Sequence, residues 1–260
     1  MIRKLAAAMT AAAATLTLAA ASHAATVTAG PACGMAQRTT AQASGGIWTL
    51  SRPNPFGLPP AQAARFCIKA GTGPGFAITR NVPYDGAVRA FPFTGAGCAY
   101  DLCTRGTDLP KKVAALPGGA NMSWDWRGTS SGYWNAALDL WFSKYDQVTA
   151  QDDGAELMVW LRTPPGYGAG VHFQWVKIGH RHYWFTYWRA HHGALSWYYI
   201  QFRLPGTVHG VHQLWMRPFI RYAQARGLLK PSWWLTSVHA GYELWSGGKG
   251  LSTVWFNTHV

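Results

Sequence analysis

The 260-residue chain, 48% apolar and 14% aromatic, has the material for one large core and is too hydrophobic to stay disordered. Its 29 Gly and 15 Pro fall below low-complexity or collagen-like levels, and past the N-terminus no apolar run approaches the roughly 18 residues that a membrane helix needs. The charge is lopsided: 23 Lys and Arg face ten carboxylates, of which only Glu156 and Glu243 are glutamates.

Residues 1–24 read as a secretory signal peptide. Met1-Ile2-Arg3-Lys4 is basic, Leu5 to Ala21 is rich in Ala and Leu, and Ser22-His23-Ala24 offers small residues at a cleavage site. An extracellular protein is therefore expected, and loss of Arg3 and Lys4 takes its formal charge from +13 to +11. Residues 25–46 are small and polar and read as a mobile leader; residues 47–260 show no composition break or internal repeat and read as one domain.

Four cysteines in an exported chain imply two disulfides with three possible connectivities. Cys98 and Cys103 are close enough to staple a turn, which leaves Cys33 for Cys67. Their spacing is not that of a zinc site. His180-Arg181-His182 and His191-His192 have no Cys or Glu nearby and read as solvated hairpins, so neither a metal nor a cofactor is expected. Lys111-Lys112 and Arg217, Arg221 and Arg226 accompany no nucleic-acid motif, and the net charge suits solubility or an acidic matrix. The expected protein is a monomer without nucleic-acid or membrane partners.

From residue 47 onward, period-two segments rich in Trp, Tyr, Val and Phe alternate with Gly and Pro clusters such as Pro117-Gly118-Gly119 and Gly247-Gly248, a pattern that predicts an all-β sandwich or barrel. One stretch has a helical period. Phe219, Ile220 and Ala223 share a face between Met216 and Arg226, Pro218 suits a first turn, and Gly227 stops it.

Alternation assigns faces on three predicted strands. In Glu156-Leu157-Met158-Val159-Trp160-Leu161 the three aliphatics point one way, and Glu156, Met158 and Trp160 the other. In Leu138 to Phe142, Asp139 and Trp141 turn away from the apolar face, as do Glu243 and Trp245 in Gly241 to Trp245. Three carboxylates, each beside an indole on a non-core face, suit a sugar cleft: indoles stack on pyranose C–H faces, and two opposed carboxyls are the minimum for glycoside hydrolysis. The plainer alternative is a solvated sandwich face with scattered acids, but a chain with only two Glu is not using them to cover surface.

These segments also resemble glycoside hydrolase family 12. Glu156 to Leu161 is similar to its nucleophile strand, Ser237 to Leu251 to its acid/base strand and glycine turn, Asn135 to Trp141 to its Asn-x-x-[Tyr]-Asp segment, and Gly97-Cys98 to Pro110 to the cysteine turn of its bacterial members. The motifs keep their order from about Cys33 to Val260. The resemblance implies a curved β-jelly-roll of two antiparallel sheets with one helix and an open cleft, residues 47–260 being the catalytic domain. It implies Glu156 as nucleophile, Glu243 as general acid/base and Asp139 as the carboxyl that hydrogen-bonds the nucleophile, with Asn135, Met158 and Trp160 lining the reacting subsites and Trp141 and Trp245 beside them. The implied activity is a retaining endo-β-1,4-glucanase acting on cellulose, mixed-linkage β-glucan or xyloglucan, with a xyloglucan-specific enzyme or a non-catalytic glucan-binding sandwich as alternatives. Two segments depart from the family. Asn54-Pro55-Phe56-Gly57 stands where an Asn-x-Trp-Gly is usual, making one stacking platform smaller, and Thr163 to Gly170 lacks the usual Pro-Ile-Gly run.

Overall fold

The computed structural model describes residues 31–71, 73–99, 102–146, 152–168 and 171–260. Strands in the first half are β1 (Ala32–Cys33), β2 (Thr39–Gln42), β3 (Trp48–Arg52), β4 (Cys67–Ala70), β5 (Phe76–Ile78), β6 (Phe93–Ala99), β7 (Leu102–Cys103), β8 (Lys111–Lys112) and β9 (Asn121–Arg127). They are followed by β10 (Ala136–Ser143), β11 (Ala155–Arg162), β12 (Gln174–Ile178), β13 (Arg181–His192), β14 (Leu195–Arg203), β15 (Gly210–Trp215), β16 (Trp234–Gly241) and β17 (Ser252–His259).

Two sheets stack. The smaller runs β1-β4-β5-β17-β9-β15; the larger runs β12-β13-β14-β11-β10-β16-β6-β3-β2, with β7 paired to β6 and β8 to β16. All pairings are antiparallel except β11 with β14. The aliphatics assigned inward by alternation, Leu138, Leu140, Phe142, Leu157, Val159 and Leu161, meet Trp124, Trp126 and Phe256 of the smaller sheet in one core, which Tyr242 and Leu244 join. A second, smaller cluster lies on the opposite face of the larger sheet and includes Leu50, Phe93, Met158, Trp160 and Tyr199. The larger sheet is thus apolar on both faces over its middle strands, and its second face carries the site.

The helical period resolves into α2 (Met216–Ala225), preceded by a single-turn α1 (Pro60–Ala63) too short to show a period in the sequence. Phe219 of α2 meets Tyr183 and Phe202 edge-on at 5.2 and 5.1 Å. Gly227 closes the helix at φ +71°, and Leu228 N–H donates to the Ala223 carbonyl at 3.0 Å, the bonding of a glycine C-cap. Of the three arginines on this segment, Arg217 is half-buried and donates to the Leu116 carbonyl at 2.7 Å. Among the described residues no helix is long and apolar enough to cross a membrane.

The signal-peptide segment lies outside the described residues. The leader reading needs correction where the chain is described: β1 pairs with β4, and β2 is an edge strand on β3 with Thr39 opposite Ser51. Small polar residues suit an exposed edge as well as they suit a leader, and composition alone does not separate the two.

Both disulfides pair as expected. Cys33 faces Cys67 and Cys98 faces Cys103 as directly opposed strand residues, closing loops of 34 and 5 residues. In the chain-entropy view the longer loop contributes about 3–4 kcal/mol and the short one less. Replacing Cys33 and Cys67 together by Ser should therefore lower the melting temperature clearly more than replacing Cys98 and Cys103, measured by calorimetry; the reverse order would refute this ranking.

Candidate active site

The site is built on three neighbouring strands, β11, β10 and β16. On the central strand Asp139 lies opposite Met158 on one side and His239 on the other; one rung further, Trp141 lies opposite Glu156 and Ser237. Asp139 and Glu156 are therefore diagonal neighbours on one face, the second closest relation that a sheet offers. Register shifts bracket this segment, on the β11 side at Ala136/Ala137 and on the β16 side at Trp141/Phe142. Bulges of this kind sharpen local twist and re-aim side chains.

Glu156 is half-buried, and its Oε2 accepts a hydrogen bond from Trp197 Nε1 at 2.9 Å. Burial, reinforced by the charge of Asp139, raises its pKa well above the usual carboxylate range. Asp139 is 2% exposed, so it cannot reach a bound sugar directly. Its Oδ2 accepts from Trp141 Nε1 at 2.7 Å, while Oδ1 is buried and has no hydrogen-bond partner among the described residues. Burial pushes the pKa of Asp139 up to about 8 against the opposing bond from Trp141.

His239 stands 3.8 Å from Asp139 Oδ2, beyond hydrogen-bond range. Burial, with the nearby Arg52 charge, pushes its pKa down to about 3, so the ring is neutral and the contact is not an ion pair. The imidazole packs 4.2 Å from Phe93 and fills space that a side chain at Gly95, directly opposite, would occupy.

Glu243 sits two residues beyond the end of β16, not within a strand as alternation implied. Its neighbour Leu244 bridges both Ala90 and Trp134, which keeps the backbone extended. Asn135 then clasps Glu243 at three points. Its N–H donates to the Glu243 carbonyl at 3.1 Å, its Oδ1 accepts from Glu243 N–H at 2.7 Å, and its Nδ2 donates to Glu243 Oε2. Burial first and the charge of Glu156 second raise the pKa of Glu243 well above the usual range, with the Asn135 bond opposing. Glu243 is half-buried like Glu156, so the two reachable carboxyls lie within each other's electrostatic field while the third is sealed below them.

Met158 and Trp160 are fully buried and form the floor of the site. Tyr199 O–H donates to Met158 Sδ at 2.9 Å, and the rings of Tyr167 and half-buried Trp245 cover Trp160 at 4.6 and 6.2 Å. Half-buried Trp141 and Trp197 flank Glu156, 5.8 Å apart. Asn54 and Phe56 lie in the loop after β3, toward the other end of the larger sheet; Asn54 has φ +44° and accepts from Phe91 N–H at 3.0 Å, and Phe56 is 57% exposed.

Four side chains of the site went unnoticed in the sequence: Trp197, Tyr199, Gln201 and Tyr167. The first three alternate along β14 with Tyr198, Ile200 and Phe202, and Gln201, an amide in an otherwise aromatic and apolar run, is the signal that this face is not ordinary core; in the structure it is fully buried. Tyr167 belongs to the loop that departs from the family pattern, where no period exists to read.

Two reachable carboxyls, raised in pKa by burial and by neighbouring carboxylate charge and set among indoles on one sheet face, are the equipment of a glycoside hydrolase. The chain belongs to glycosyl hydrolase family 12, whose family model matches residues 21–260. Among solved structures, an endoglucanase cel12A from Rhodothermus marinus is 31% identical, with a TM-score of 0.73 over 88% of this chain and 97% of that one. A metagenome-derived family 12 endoglucanase is also 31% identical, with a TM-score of 0.72 over 88% and 96%. A family 12 xyloglucanase from Bacillus licheniformis shares the fold at 18% identity, with a TM-score of 0.77 over 88% and 99%. No curated protein matches the chain.

Proposed function

We propose that this protein is an exported, retaining endo-β-1,4-glucanase that cleaves internal bonds of cellulose-like glucans. The observation that carries the reading is the pairing of Glu156 and Glu243, each accessible, each held by a side-chain donor, with the charge of the first raising the pKa of the second. Both relatives at 31% identity are endoglucanases, and two disulfides suit an oxidising extracellular compartment.

In this mechanism Glu156 attacks the anomeric carbon as a carboxylate, and Glu243 gives its proton to the departing glycosidic oxygen. Glu243, now ionised, takes a proton from water, whose oxygen attacks the same carbon from the face the leaving group vacated and expels Glu156, so the β-configuration is kept. Asp139 acts through Glu156. The charge of Asp139 raises the pKa of Glu156, so a proton kept on Asp139, whose unpartnered Oδ1 can hold it, favours the ionised nucleophile. Asn135 sets the angle of Glu243. No step calls for a metal or cofactor.

An enzyme that binds in mid-chain should cut internally. The viscosity of carboxymethylcellulose should fall before much reducing sugar appears, and NMR before mutarotation should show new β-anomer. Slow viscosity loss with cellobiose as the sole early product would overturn the internal mode; new α-anomer would overturn retention.

A further inference from the structure

The face that carries Glu156 does not end at the catalytic strands. Trp160 lies beside Arg203 of β14, Arg203 opposite Trp184 of β13, and Trp184 opposite Trp175 of β12, so one transverse rung joins the floor of the site to the edge of the larger sheet. Residues paired in register share a face. The alternate residues of the same strands, Val176, Ile178, Tyr183 and Phe185, enter the main core, which fixes Trp175 and Trp184 on the side of the site. Three strand spacings separate β11 from β12, about 14 Å, a span of a few sugar residues along a chain laid across the sheet.

Trp175 and Trp184 are 49% and 40% exposed. Their rings lie 4.5 Å apart, and His182 stacks parallel to Trp175 at 5.4 Å, so the indoles are held in place by each other and not by the core. Between them and the site, the Arg203 guanidinium lies 3.7 Å over the Phe173 ring. Large aromatic area at an open sheet edge is costly unless something covers it. The occupant most continuous with the site is the polysaccharide itself, whose pyranose faces suit indoles and whose hydroxyls suit the exposed imidazole of His182.

Building on the glucanase reading, we infer that Trp175 and Trp184 form an outlying stacking platform that grips the polysaccharide several residues away from the bond being cleaved. The loop carrying Phe56 follows β3, so the platform lies on the opposite side of the catalytic strands. Where the smaller Phe56 weakens grip at one end, the paired indoles supply it at the other.

The test compares kcat/KM on carboxymethylcellulose with kcat/KM on the shortest cello-oligosaccharide the wild type cleaves. Trp175→Ala and Trp184→Ala should each lower the polymer-to-oligosaccharide ratio about tenfold, chiefly through KM on the polymer, and Trp175→Phe should recover most of the loss. Equal losses on both substrates, or no loss on either, would overturn the platform, as would a change in sedimentation coefficient in place of a KM effect, which would make the patch a contact between copies of the chain. Gel retardation by soluble glucan in the Glu156→Gln background separates this inference from the enzymatic one. Retardation lost on adding Trp175→Ala supports the platform even if the wild type proved inactive, whereas retardation unaffected by that change sinks it even if the enzyme cleaves glucan.

Discussion

Glu156→Gln and Glu243→Gln should each cut turnover on a soluble β-1,4-glucan by roughly 10³-fold or more while the fold is kept. Each change preserves shape. At Glu156 it removes the attacking carboxylate but keeps an acceptor for Trp197 Nε1; at Glu243 it removes the transferable proton but keeps an acceptor for Asn135 Nδ2. The two losses differ in kind. An aryl glycoside whose leaving group departs without protonation should be cleaved far better than glucan by Glu243→Gln and no better by Glu156→Gln. Because burial disfavours the charged form of both groups, neither substitution should lower the melting temperature at neutral pH. Glucan hydrolysis at near wild-type rate by either variant would remove that carboxyl from the mechanism, and a shared loss of folding would show up directly as a fall in melting temperature.

Much of this arrangement is legible in the chain because a strand writes its faces in alternate residues. Glu156, Met158 and Trp160 oppose Leu157, Val159 and Leu161 in the sequence and in the structure, and the same holds for Asp139 and Trp141. What alternation cannot carry is register. Nothing local says that Trp197 comes from a strand running parallel to β11, or that Asn135 lies opposite Glu243 across 108 residues; both follow from strand order. Burial is equally silent. Trp160 reads as a sugar platform by type and face, yet Tyr167, from a loop without periodicity, lies over it and makes it floor. Trp184, by contrast, is 40% exposed, with the ring of Trp175 from the next strand beside it.

Asp139→Asn should slow glucan turnover by about 10²–10³-fold, less than loss of Glu156 itself, because the change removes the ionisable carboxyl that tunes the nucleophile and leaves the nucleophile in place. Its effect on stability should run the other way and depend on pH. Asp139 titrates at about 8 in the folded protein and near 4 when unfolded, so between those values the folded state binds the extra proton, and stability falls as pH rises through that window. Asn has no proton to lose. The melting temperature of the variant relative to wild type should therefore climb from pH 5 to pH 8, and it should level off above the folded pKa. The wild-type slope will not vanish in the variant, because buried Asp152, raised to about 7 chiefly by burial, contributes the same sign and remains. Parallel stability curves for the two proteins would mean that Asp139 is ionised in the folded state over the whole range, and that it acts on Glu156 as a charge, not as a proton donor. An unchanged turnover would place it outside the mechanism altogether.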